Sequence, residues 1–181
     1  GSIQLTTGSS SLSQAGEITI AGGSSANNDG SQVSVLGGDT SSTAAAGGAV
    51  FVKAGDGINT DAAHGGSGGD IVLQGGAALG RSSDNVGGSV LLRSGDAAVG
   101  VAGGITLSTG QSDEGSSGYM QLITGAAGMS GVSGSVEVVT GSSGGGTSGS
   151  ITFSTGQSQD GSAGNINVLV GSGNDRDGGD I

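Results

Sequence analysis

"GGITLSTGQS", residues 103–112, recurs forty-six positions later as "GSITFSTGQS", residues 149–158. The two stretches belong to a ladder that runs through the whole chain. Aligned on one aliphatic position, its units begin at Ile3, Ile18, Val33, Val50, Ile71, Val90, Ile105, Met120, Val136, Ile151, Ile166 and Ile181. Most steps are 15 residues, and three in the middle are 17, 21 and 19. Two residues after each of the first eleven starts a second apolar side chain follows, from Leu5 to Val168. Five residues after the start there is always a glycine, here termed the anchor glycine, from Gly8 to Gly171. Two residues before the start stands another glycine, the return glycine, replaced once by Ser31.

Long periods of this kind are the mark of repeat architectures. Each apolar pair with one residue between has a period of two, and the side chains are mostly β-branched or Leu. That pattern predicts a short strand with one face buried. Such a strand cannot be stable alone; stacked on its neighbours it would pair its backbone and bury a continuous aliphatic column. The expected fold is therefore all-β: a flattened β-solenoid with about 15 residues per coil, roughly 11 coils and no helix. Gly, Ala and Ser opposite the aliphatic wall would let the core be thin. The chain 1–181 reads as one solenoid domain, with the inserts "GINTDAAHGG" (57–66) and "GRSSDNVGG" (80–88) as longer loops.

Composition narrows the function. Of 181 residues 44 are glycine, and proline, cysteine and tryptophan are absent, so neither disulfides nor thiolate metal sites can form. Fifteen acids against four bases give a net charge of −11, which repels nucleic-acid backbones and anionic membranes. No apolar run is long enough to cross a membrane as a helix, and the N-terminus has no signal-peptide pattern. No residue pattern indicates catalysis or a cofactor, so an enzyme is not expected.

Several residues were weighed as sites. "GGSGGDIVL" (65–73) fits the calcium-binding nonapeptide once, which makes Asp70 a candidate ligand. The motif should recur every nine residues and does not, so no metal is expected. His64, the single histidine, reads as an exposed loop residue. The residue between the paired apolars is itself apolar at Phe51, Val72 and Leu91, on successive units. This strip is the candidate face for a partner or another copy, unless a long loop covers it. Thr109, Thr124, Thr140 and Thr155 recur on four successive units. A flat array of this kind resembles those of ice-binding proteins, the alternative function, although these threonines could also face inward.

The units "GSVLLRSGDA" (88–97), "GGDIVLQGGA" (68–77) and "GSITFSTGQS" (149–158) resemble the Gly/Ser-rich tandem repeats of long secreted or cell-surface proteins of algae and marine microbes. They also resemble repeats in phage tail fibres. The resemblance implies an extracellular or cell-surface location and structural or adhesive work. The expected function is thus a non-enzymatic module of an extracellular fibre, stiffened by backbone ladders and hydrated by its acidic surface. It would associate end to end or laterally with copies of itself or with neighbouring repeats. Adhesin-like surface binding is a further alternative, with Tyr119 as the one candidate platform. Neither end carries a cap, which predicts a piece of a longer fibre or a unit that stacks.

Overall fold

The computed structural model describes residues 1–172 and 179–180. Ile181 and most of the acidic stretch 173–180 lie outside the described residues. The chain falls into two units, Gly1–Arg93 and Ser94–Ile181.

Among the described residues there is neither helix nor strand. The expected all-β, flattened β-solenoid is not formed, and its ladders are not there to stiffen the chain. Instead six of the loops that join successive repeats are closed by a local backbone bond. In the first unit the anchor glycine carbonyls of Gly23, Gly38, Gly55 and Gly76 accept the amides of Ser31, Gly48, Gly69 and Gly88. In the second unit Gly95 and Gly110 accept from Gly103 and Gly118 in the same way. The donor is each time the return residue of the following repeat. The outcome is a series of Ω-loops, compact surface loops whose ends meet. Each of these bonds uses one anchor carbonyl and one return amide.

The neck of each loop is made by the residue just before the anchor glycine and by the return residue. At least one of the two is glycine in every pair: Gly22 with Ser31, Gly37 with Gly48, Ala54 with Gly69, Gly75 with Gly88, Ser94 with Gly103, Thr109 with Gly118. The size of the facing side chain tracks the closing bond. It is 2.8 Å in both Gly/Gly necks, 2.9 Å with Ala54, 3.0 Å with Ser31 or Ser94, and 3.4 Å with Thr109. An N–H···O bond weakens beyond about 3.2 Å. In the first repeat the neck side chain takes over, and Thr7 Oγ1 donates to the Gly16 carbonyl at 3.0 Å. Ala54, Gly75, Ser94 and Thr124, all neck residues, are half-buried, and every other described residue is exposed.

No apolar side chain is buried among the described residues. From Ile18 to Ile166 the first aliphatics are 46–60% exposed, and the second aliphatics are 57–74% exposed. The chain presents 17,696 Å² to solvent. A folded globular chain of 16.6 kDa would show about 7,600 Å² and the unfolded chain about 24,000 Å². About a quarter of the unfolded surface is therefore removed, where a globular domain of this size removes about 70%. Two aliphatics per repeat, flanked by glycines that lose much freedom on ordering, do not assemble a core within one chain.

The neck geometry predicts a sharp contrast between adjacent glycines. A Cβ on Gly75 would collide with the Gly88 carbonyl, whereas a Cβ on Gly76 meets nothing within 4 Å. Ala54 shows that a lone methyl is accommodated at 2.9 Å, so Gly75→Thr is the informative change: it should widen the neck toward the 3.4 Å seen beside Thr109, and the Gly88 amide should exchange with deuterium about fivefold faster, the equivalent of about 1 kcal/mol. Gly76→Ala should leave that amide unchanged.

Candidate functional site

The loops are shaped by a second recurrent device. Two residues after the anchor glycine stands a hydroxyl that caps the reversal. The amides of Ser13, Asn28, Gly115, Gly146 and Gly161 donate to the Oγ of Ser10, Ser25, Ser112, Ser143 and Ser158 at 2.9–3.1 Å. Thr40 Oγ1 accepts from the Ser42 amide at 3.2 Å. These are side-chain turns that need no pairing partner elsewhere in the chain. The signal for them is a repeated Gly-x-Ser/Thr, visible in the sequence and not used in the reading above. The loop after Gly95 has no such hydroxyl and carries Gly100 at φ +103°, a left-handed conformation suited to glycine.

The longest loop, between Gly55 and Gly69, is built on acidic and amide side chains. Asp61 Oδ1 accepts the amides of Ala63 and His64 at 2.9 and 2.8 Å, and Asn59 Oδ1 accepts that of Asp61 at 3.0 Å. Asn59 Nδ2 donates to the His64 carbonyl at 3.2 Å. The His64 ring is exposed, with Nδ1 3.7 Å from Asp61 Oδ1. These side chains hold the loop's own backbone.

The residues singled out by the sequence take up separate places. Phe51, Val72 and Leu91 lie in the first unit and are 84%, 78% and 83% exposed. Thr109, Thr124, Thr140 and Thr155 lie in the second unit, and each is set against the return glycine of its own loop. A Cβ at Gly118, Gly134, Gly149 or Gly164 would meet the nearest side-chain carbon of its threonine at 3.3–3.8 Å. With no sheet among the described residues, these threonines line loop necks rather than a flat array. Asp70 is exposed, and no group of three or more His, Cys, Asp or Glu side chains among the described residues could hold a metal ion. Lys53 pairs with Asp56, three residues on, and both are exposed. The described residues enclose no cavity, and no helix among them is long and apolar enough to cross a membrane.

The arrangement presents a repeated surface to its surroundings. It repeats an uncharged aliphatic pair, exposed, on a backbone whose loops carry hydroxyls and carboxylates.

Removing one cap tests the loop device. Ser112→Ala should raise the exchange rate of the Gly115 amide about fivefold, for a bond worth about 1 kcal/mol net. Ser112→Thr keeps the Oγ acceptor and should preserve the protection.

No protein-family model matches the chain, and neither the curated proteins nor the solved structures contain a match.

Proposed function

We propose that the chain is a non-enzymatic structural module of an extracellular fibre, working through contacts with copies of itself or with neighbouring repeats. The observation that supports this reading most directly is the repetition of an exposed apolar pair in a chain with no buried apolar side chain among the described residues. Surface of that kind marks association rather than a soluble monomer's normal scatter of apolar residues. The resemblance of its units to secreted tandem repeats supports the extracellular setting. Phe51, Val72 and Leu91 remain the proposed contact strip, since nothing among the described residues covers them.

The mechanism differs from that of a rigid rod. Six loops are tied at the neck by a backbone bond and the first by Thr7 Oγ1, so these repeats hold their spacing while their loops stay hydrated. Its net charge of −11 keeps separate chains dispersed.

Negative-stain microscopy of the native material with an antibody to this chain tests the proposal. Continuous label along filaments is the expected result. Label confined to discrete particles would overturn it.

A further inference from the structure

We infer that the repeated aliphatic pairs of the second unit form a self-association surface whose occupant is a second copy of this chain. This deepens the proposed function and rests on it. It shifts the main contact from the strip of Phe51, Val72 and Leu91 to the pairs themselves, which recur in every repeat of that unit.

In the unit Ser94–Ile181 the pairs are Ile105 with Leu107, Met120 with Leu122, Val136 with Val138, Ile151 with Phe153 and Ile166 with Val168. All ten side chains are exposed, and the first member is the more covered in every pair but Val136 with Val138. Side chains that are half covered have lost part of their freedom, which lowers the cost of ordering them in a contact. None of the ten positions is charged. The described acids of this unit stand beside the pairs or outside them: Glu137 between Val136 and Val138, Asp96, Asp113, Glu114 and Asp160 after anchor glycines, and Asp180 next to the end of the unit. Two surfaces of this kind can meet without burying a charge, and their carboxylates remain at the rim in water.

The surface area argues for copies rather than one small partner. The chain exposes about 10,000 Å² more than a folded chain of its mass, whereas a standard two-chain interface removes about 1,600 Å² in total. A chain flanked by several copies covers more of this surface than one small partner can. Spacing argues the same way. The steps between these pairs are 15 or 16 residues, and between one pair and the next a threonine stands against a return glycine. A second copy carries the same interval, so several pairs can be engaged at once, each multiplying the effect of the last.

The rim carboxylates set the sign of the salt dependence. Copies repel at low salt, where fields reach about 30 Å at 10 mM, and this repulsion is screened at 1 M, where they reach about 3 Å. A contact held by apolar pairs should therefore tighten with salt. A contact that uses the acids to attract a base should loosen.

Sedimentation velocity of the full chain across concentration and salt provides the test, with three variants. Leu107→Ser, Leu122→Ser, Val138→Ser and Phe153→Ser combined should weaken association at least about tenfold, or about 1.4 kcal/mol. Phe51→Ser, Val72→Ser and Leu91→Ser combined should not. Because the chain has no cysteine, Leu122→Cys can be labelled alone. Its thiol should react at least about tenfold more slowly in the associated state than in the dispersed one. A thiol at the loop residue, Ser143→Cys, should react equally in both. The inference is overturned by a chain that stays monomeric at all salt concentrations, by association that weakens as salt rises, or by equal labelling changes at positions 122 and 143. Loss of association only in the Phe51, Val72 and Leu91 variant would also overturn it, while leaving the fibre module standing. Filament labelling with a monomeric isolated chain would separate the two in the same way.

Discussion

Everything in this chain hangs on the width of a loop neck. Two backbone segments must come close enough for one amide to reach one carbonyl, and the side chains beside that bond decide whether they can. Where both neck residues are glycine the bond is 2.8 Å; where one is threonine it is 3.4 Å. One residue type thus serves two ends. Glycine at Gly48 or Gly88 removes the Cβ that would hold the segments apart, and its carbonyl takes the space across the neck. The threonine necks trade a tight bond for a methyl and a hydroxyl. Thr7 shows how that trade can be settled, with its own Oγ1 bridging to the Gly16 carbonyl.

A neck of this kind makes loop length almost irrelevant. The loops closed between Gly23 and Ser31 and between Gly55 and Gly69 differ by six residues. On chain statistics that difference costs only about 0.5 kcal/mol. The inserts around His64 and Asp84 therefore need not disturb the repeat. Their own side chains, Asn59, Asp61 and Ser82, fold the extra residues back by accepting nearby amides. The irregular steps in the middle of the ladder are explained by this tolerance.

Much of this was legible in the sequence. The period, the anchor and return glycines and the position of the inserts could all be read off directly, and the capping hydroxyls were there in Gly-x-Ser/Thr. The strand assignment was not safe. A period of two at Ile105 and Leu107 says which side chains share a side if the segment is extended. It does not say what the backbone on either edge will bond to. That partner is chosen by the flanking glycines, and Gly110 bonds to Gly118 eight residues on, not to the next rung. The threonines posed the same difficulty. Their regular recurrence is a fact of the sequence, but recurrence is equally the consequence of a neck that is rebuilt in each repeat.

The fate of the aliphatic pairs follows from the same local bonds. The neck bonds close the loops between the pairs and bring no other part of the chain over a pair, so it stays in water. Hydrophobic residues make up 32% of this sequence, yet the described residues contain no core. In a globular chain such a pattern would direct collapse inward. Here two aliphatics per repeat, set among glycines that lose much freedom on ordering, do not drive it, while the net charge of −11 opposes the indiscriminate sticking that exposed Ile, Leu and Val would otherwise cause. Local closure and long-range repulsion together leave a periodic apolar surface that is available but restrained. That is a combination suited to assembly by copies and poorly suited to a solitary folded domain.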